Sequence, residues 1–212
     1  QGAALLTTAQ ALGWRERLRE AVLDPFADFF RRYHRQALTI VLLIATYRIA
    51  DEVMGVMAYA FYKDMGFTKD EVAMVSKVYG LAMTLTGAFV GGALVLRWGV
   101  LRVLFVGALL SAATNLLYAW MATLGGAAHQ VPLLMLVVSA DNLASGIASS
   151  AFVAYLSGLT SVAYSATQYA LFSSLMQLLP KTVGTLSGWA VDAFGYSAFF
   201  LATAALGVPV LM

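Results

Sequence analysis

The sequence contains no cysteine and very little charge. The absence of cysteine excludes disulfide scaffolds, cysteine-based zinc sites and thiol nucleophiles. Charged residues make up only 11% of the chain, against about 25% in soluble domains, whereas 61% of the residues are hydrophobic. The mean hydropathy is +0.79, and so few polar residues cannot cover the surface of a domain in water. The composition therefore predicts an integral membrane protein.

Several other function classes are excluded by what is missing. Thirteen Lys and Arg against eleven Asp and Glu give a net charge of +2 without a basic cluster, so no nucleic-acid partner is expected. The two histidines, His34 and His129, do not form an HExxH motif, and no histidine follows Ser145 to activate it as a nucleophile. P-loops are also missing, which excludes ATP-driven transport by this chain. The sequence predicts neither an enzyme nor a metal or cofactor site.

Hydrophobic segments of membrane-spanning length occur six times. A helix needs about 20 mostly apolar residues to cross the hydrocarbon core of a bilayer. Turn signals such as Gly125-Gly126 divide the long uncharged stretches. The predicted spans are Ala37–Phe61, Val72–Leu96, Val103–Leu124, Val131–Ser157, Ser165–Trp189 and Tyr196–Met212.

The distribution of basic residues predicts the orientation of these spans. Six arginines precede the first span and two follow the second, whereas the loop around Gly125 has no Lys or Arg. Because cytoplasmic loops carry the excess of Lys and Arg, both ends of the chain are expected in the cytoplasm. The chain opens with Gln1 and its last span stops without a tail, so we expect a fragment of a longer protein.

Residues 1–35 are expected to form a cytoplasmic linker segment that precedes a membrane bundle at 36–212. Apolar side chains recur in the linker at three- and four-residue spacing, which predicts an amphipathic helix, interrupted near Pro25. Packing on the cytoplasmic ends of the bundle is favoured over direct contact with lipid. The apolar positions are Trp14, Leu18, Val22, Phe26, Phe29 and Tyr33.

Charged residues inside the predicted spans are the main candidates for function. Each would cost about 2.5–3.5 kcal/mol at the centre of a lipid-facing helix, so they should face one another or a water-filled cavity. One interpretation is a polar translocation pathway in which a carboxyl group takes up and releases a proton. The other is a set of structural ion pairs between helices. The residues are Arg48, Asp51, Glu52, Lys77, Asp141 and Lys181.

The spacing of the first three charges narrows the choice of proton carrier. Asp51 and Glu52 lie three and four residues after Arg48, so one carboxylate can pair with it while the other stays free. Burial favours the protonated form of a carboxyl group, and a nearby arginine opposes this. The candidates are therefore Asp141 and whichever of Asp51 and Glu52 is not held by Arg48. Uncharged polar residues expected to add to the pathway are Asn142, Thr167 and Gln168.

Two groups of motifs resemble known transporters. Gly92, Arg97, Gly99 and Arg102 are spaced as in the short cytoplasmic loop of the major facilitator superfamily, although Leu96 stands where an acidic residue is usual. Longer stretches resemble the AmpG muropeptide permease family over nearly the whole chain from about Asp24. These stretches are Tyr47–Asp51, Val75–Gly80, Asp141–Tyr155, Tyr164–Ser173 and Gly188–Tyr196.

The resemblance implies an all-α membrane protein. Its six transmembrane helices would form the C-terminal half of a transporter with about twelve helices. The implied partners are the lipid bilayer, the missing N-terminal six-helix half and a muropeptide substrate. The resemblance further implies proton-driven uptake of N-acetylglucosaminyl-anhydro-N-acetylmuramic acid, with or without its peptide, across a bacterial inner membrane. This uptake would serve peptidoglycan recycling and supply the signal that induces chromosomal β-lactamase. No cofactor is implied beyond the proton gradient.

The same resemblance leaves the solute and the transport activity open. Acetyl-coenzyme A or another anion is an alternative substrate, since Arg48, Lys77 and Lys181 suit its phosphates equally well. A non-transporting receptor built on a transporter fold is the alternative from a different class. By the resemblance, the intramembrane positions that match the family are Asp51, Lys77, Asp141, Asn142, Thr167 and Gln168.

Overall fold

A computed structural model describes Arg19 and residues 23–211, and the elements in this part of the chain are all helical. The α-helices are α1 (Asp24–Tyr33), α2 (Ala37–Thr46), α3 (Ile49–Asp64), α4 (Lys69–Ala73), α5 (Gly80–Trp98), α6 (Val100–Thr123), α7 (Val131–Leu159), α8 (Ser165–Gly184) and α9 (Ser187–Leu206). A π-helical segment, Met74–Tyr79, joins α4 to α5, and short 3-10 turns lie at His34–Gln36, Gly125–Ala128 and Val208–Leu211.

Four helices in the described residues are long and apolar enough to cross a membrane. They are Lys69–Trp98, Val100–Thr123, Val131–Leu159 and Ser187–Leu206. The first three contain the second, third and fourth predicted spans with shifts of a few residues at their ends. The chain is thus a multi-pass membrane protein.

The first and fifth predicted spans are helical but differ from a single apolar rod. The first divides into α2, of 10 residues, and α3, of 16 residues, because the backbone leaves the helix between them at Arg48. The fifth corresponds to α8, whose 20 residues include Gln168, Gln177 and Lys181 and are therefore less apolar than the other long helices. Both departures place polar groups inside the bundle.

The last helix contains a sharp break at Gly195. Its φ of 79° and ψ of 166° lie outside helical values and nearly repeat those of Gly99, 82° and 160°, where the chain passes from α5 to α6. Glycine is the residue that adopts such positive φ at no steric cost. The sixth predicted span, which begins at Tyr196, therefore starts where the structure breaks, although the helical segment as a whole begins at Ser187.

Glycines allow α5 and α7 to cross in direct backbone contact. A Cβ on Gly87 would collide with the backbone oxygen of Leu143, and a Cβ on Gly146 would collide with that of Thr84. A Cβ on Gly91 would likewise meet Ser150 and the Ile147 backbone. Small residues at helix contacts are the usual means of close packing in membranes. This crossing supports one wall of the cavity described below.

Two apolar cores stabilise opposite ends of the bundle. In one, Phe61 of α3 contacts Phe200 of α9, with ring centroids 5.0 Å apart. In the other, Phe29 of α1 is 1% exposed and contacts Phe172 of α8, again at 5.0 Å. Helix α1 therefore packs on the bundle, as the favoured interpretation of the linker expects.

Pro25 stands in the first turn of α1, which begins at Asp24, and is buried there. The interruption predicted near Pro25 concerns a helix whose earlier residues lie mostly outside the described part of the chain. The predicted apolar positions Trp14, Leu18 and Val22 lie outside the described residues.

Candidate functional site

The bundle contains a cavity of about 870 Å³ between α3, the α4–α5 segment, α6 and α7. Three cationic and four acidic side chains line it. Six of the nine predicted pathway residues lie in its wall: Arg48, Asp51, Glu52, Lys77, Asp141 and Asn142. The structure thus brings together charges that are separated by more than 90 residues in the sequence.

Arg48 is the centre of the charged network. The break between α2 and α3 places it at the cavity wall with its side chain only 15% exposed. Its guanidinium donates to the hydroxyls of Ser149 at 2.6 Å and Ser145 at 3.3 Å on α7. It also lies 3.8 Å from the Asp51 carboxylate and 3.9 Å from that of Glu52. Arg48 therefore neighbours both carboxylates, where the sequence predicted that one of them would be free.

Two hydroxyls on α6 connect the acids of α3 and α7. Ser111 donates to Oδ1 of Asp51. Thr114, three residues further along the same helix, lies 3.2 Å from Oδ1 of Asp141 and 3.0 Å from the backbone oxygen of Ser111. Asp51 and Asp141 are therefore linked through the buried face of α6.

Lys77 reaches the cavity from the π-helical segment. Its side chain is exposed, and within the described part of the chain no carboxylate lies within ion-pair distance of it. Single π-helical turns inside α-helices are rare and are frequent at functional sites. The segment therefore supplies an unpaired positive charge to the cavity.

Asn142 contributes its side chain mainly to helix packing. Its amide donates to the Val138 backbone oxygen at 2.8 Å and accepts from the Thr84 hydroxyl at 2.9 Å. It also lies against Gly80, where an added Cβ would be 3.2 Å from the Asn142 amide nitrogen. Asn142 lines the cavity with its hydrogen bonds already made inside the bundle.

Several lining residues were not found from the sequence. The hydroxyls of Tyr62 and Tyr118 lie 2.6 Å apart and join α3 to α6 at the cavity wall. Asp141, Ser145 and Ser149 are spaced by four residues and so share a helix face, a periodicity that points to the Arg48 partners. The other lining residues missed are Tyr59, Lys69 and Asp70. Ser111 and Thr114, which contact the lining acids Asp51 and Asp141 from α6, were missed as well.

Residues 37–212 match the sequence profile of the Major Facilitator Superfamily. The chain belongs to this superfamily. It is 36% identical over 193 residues to a putative transporter AmpG 4 of Rickettsia conorii, covering 90% of this chain and 45% of that protein. It is also 36% identical over 196 residues to the anhydromuropeptide permease of Escherichia coli K12, covering 92% and 39% of the two chains. An uncharacterised protein of Haemophilus influenzae is 31% identical over 195 residues, covering 90% and 46%.

These relatives confirm the resemblance to AmpG-type permeases and the fold class, half of a Major Facilitator Superfamily transporter. The printed names of two of these relatives, a putative transporter and a permease, describe transport. The chain spans less than half the length of the curated relatives it matches.

The superfamily loop motif lies at the turn between α5 and α6. Gly99 makes the tight turn there with its positive φ. Arg97 and Arg102 are exposed on either side of it, and Gly92 lies half-buried about two helical turns before Gly99. Leu96, which replaces the usual acid, is 89% exposed.

Three predicted pathway residues lie away from the cavity, all on α8. Thr167 is half-buried near the start of the helix. Lys181 lines a separate, smaller cavity of about 350 Å³ with Ser173 and Gln177. Gln168 is 1% exposed and binds the linker helix instead of facing the cavity.

Gln168 belongs to a polar contact between α1 and the loop before α8. Its side-chain oxygen accepts from Arg32 at 3.1 Å and from the Ser161 backbone at 2.8 Å. Its amide nitrogen donates to the Pro25 backbone oxygen at 2.9 Å and to Asp28 at 3.1 Å. We call this set of five residues the linker clasp.

Proposed function

We propose that the chain forms part of a proton-coupled permease that takes up anhydromuropeptides for peptidoglycan recycling. The relative of E. coli is named for this substrate, and the cavity offers the groups that such a ligand needs. Anhydromuropeptides carry sugar hydroxyls, amides and carboxylates. The exposed Tyr59 hydroxyl suits the sugars and amides, and unpaired Lys77 suits a carboxylate.

The observation that carries proton coupling is the isolation of Asp141. Arg48 neighbours Asp51 and Glu52, whereas Asp141 has only the Thr114 hydroxyl, with no cation within 4.0 Å among the described residues. Inside a membrane protein, a carboxyl group without a counter-ion is more stable in its protonated, neutral form. Asp141 is therefore our candidate for the group that carries the proton.

The complete transporter in this proposal contains a second six-helix half. The relatives are more than twice as long as this chain, and transporters of this type bind their solute near the midplane between two halves. The cavity would then be one wall of the solute site. The two halves would rock to open it alternately to the periplasm and the cytoplasm, in the inner membrane, with both ends of this chain in the cytoplasm.

The proposal is tested by uptake of radiolabelled N-acetylglucosaminyl-anhydro-N-acetylmuramyl tripeptide into proteoliposomes that contain the full-length protein. Wild-type uptake should rise when an inward proton gradient is imposed and fall at least tenfold when a protonophore collapses it. Asp141→Asn should abolish this response because an amide cannot take up the proton. Asp192→Asn, an exposed position outside the cavity, should behave as wild type.

Uptake that is equal with and without the gradient would refute proton coupling. Competition by acetyl-coenzyme A but not by the muropeptide would instead support the alternative anion. Binding of the muropeptide without flux would support a receptor.

A further inference from the structure

The Thr114 hydroxyl has two acceptors but only one proton to donate. It lies 3.0 Å from the Ser111 backbone oxygen and 3.2 Å from Oδ1 of Asp141, and the residue is 5% exposed. The first contact is the usual bond of a helical threonine to its own helix, and the second crosses to α7. The hydroxyl can therefore serve either acceptor, depending on which one competes better.

The first acceptor of Thr114, the Ser111 backbone oxygen, connects Thr114 to a second acid of the cavity, Asp51. The Ser111 backbone oxygen accepts from Thr114 while the Ser111 hydroxyl donates to Asp51. Asp51 in turn lies 3.8 Å from Arg48. A chain of contacts thus runs from Asp141 on α7 through α6 to the Arg48 network.

We propose that Thr114 is a positioning residue for the proton step at Asp141. When Asp141 is ionised, the Thr114 hydroxyl donates to it and stabilises its charge. When Asp141 has taken up a proton, its own O–H donates to the Thr114 oxygen, and the Thr114 proton turns to the Ser111 carbonyl. Thr114 keeps its proton throughout, and the transported proton arrives at and leaves from Asp141. This inference depends on the proposed role of Asp141.

Other ionisable groups share the cavity with Asp141, and the test must separate them from Thr114. Arg48, Asp51, Glu52, Tyr59 and Tyr62 belong to α3 and the residue before it, Lys69, Asp70 and Lys77 to the α4–α5 segment, and Tyr118 to α6. Replacing Thr114 by valine changes none of these groups and preserves the shape of the side chain.

The test measures uptake of the labelled muropeptide by the full-length protein as a function of pH. Thr114→Val removes both bonds to Asp141, the one that Thr114 donates to the ionised form and the one that it accepts from the protonated form. The bond to the charged carboxylate is the stronger of the two, so protonation becomes easier on balance. The pH of half-maximal uptake should rise by about 0.5–1 unit, from the usual strength of one such hydrogen bond. Thr114→Ser restores the hydroxyl and should restore the wild-type midpoint. The KM for the muropeptide should stay close to its wild-type value, because Thr114 is not proposed to touch the substrate.

Thr123→Val is the matched control, since the Thr123 hydroxyl on the same helix donates to the Trp120 carbonyl and to no other acceptor in the described part of the chain. A purely structural role for Thr114 predicts lower activity at every pH with an unchanged midpoint, which would overturn the proposal. A shift that persists in the Asp141→Asn background would overturn it too, because Thr114 would then act on another group. If Thr114→Val does not reach the membrane, Thr114→Ala and Thr114→Ser are compared by the same criterion.

The proposed function and this inference fail in different ways. If Asp141→Asn leaves the response to the gradient intact, the role of Asp141 is wrong and the Thr114 inference falls with it. If Asp141→Asn abolishes the response while Thr114→Val keeps the wild-type midpoint, only the inference about Thr114 is wrong.

Discussion

At the scale of single residues, some charged side chains of the cavity have an opposite charge within ion-pair distance and others do not. We call the former balanced and the latter unbalanced. Arg48 has two serine hydroxyls and two carboxylates around it, and Asp51 has both Arg48 and Ser111. Asp141 and Lys77 have no opposite charge within ion-pair distance among the described residues. The balanced groups build the wall, and the unbalanced ones remain available to a proton and to an anionic solute.

Lys77 gives a prediction at this scale. Lys77→Met should raise the KM for the muropeptide about two- to tenfold with little change in kcat, because a partly exposed charge contributes modestly to binding. Lys63→Met, at an exposed lysine outside this cavity, is the control and should leave KM unchanged. Concentration-dependent uptake measures both constants, and an unchanged KM in Lys77→Met would exclude a direct contact with the substrate.

At the scale of helices, the linker clasp fastens α1 to the bundle. Besides binding Gln168, Arg32 donates to the Leu159 backbone oxygen at 3.0 Å, at the end of α7. The clasp therefore ties α1 to both α7 and α8. The sequence predicted Gln168 in the fifth span and assigned it to the solute pathway, because a buried glutamine in a membrane helix suits either role.

Removing the central side chain of the linker clasp should lower the free energy of unfolding. Gln168→Leu keeps the volume of the side chain but leaves the Ser161 amide, Arg32 and Asp28 with fewer partners. We expect a loss of about 1–3 kcal/mol, the usual cost of buried groups left without hydrogen bonds. Thermal unfolding of the full-length protein in detergent measures it. Gln177→Leu, at an exposed position on the same helix, should lower Tm less, and equal effects would contradict the clasp.

At the scale of the whole molecule, the orientation of the bundle can be tested because this chain has no cysteine. If both ends face the cytoplasm, a cysteine introduced at Arg97 lies inside and one at Gly126 lies outside. A membrane-impermeant maleimide added to spheroplasts of a cysteine-free full-length protein should label Gly126→Cys at once and Arg97→Cys only after permeabilisation. The reverse pattern would invert the orientation.

Composition and periodicity were enough to predict much of the architecture. Low charge and long apolar runs predicted a helical membrane protein, and the predicted spans that end at Leu96 and begin at Val103 bracket the turn at Gly99. These properties are local, so they can be read from neighbouring residues. The break at Arg48 was not predicted, because the apolar residues on both sides read as one continuous span.

What the sequence alone determined is the chemistry available: membrane helices with too much buried charge to face lipid, in motifs typical of AmpG-type permeases. Only the tertiary structure decided which charges meet. Arg48 lies just before α3, Ser111 on α6 and Asp141 on α7, and their distances depend on how α3, α6 and α7 pack. The same packing places Gln168 against the linker helix α1 and leaves Asp141 without a counter-ion. Local sequence patterns carry no information on contacts between distant segments, and the assignment of roles depends on those contacts.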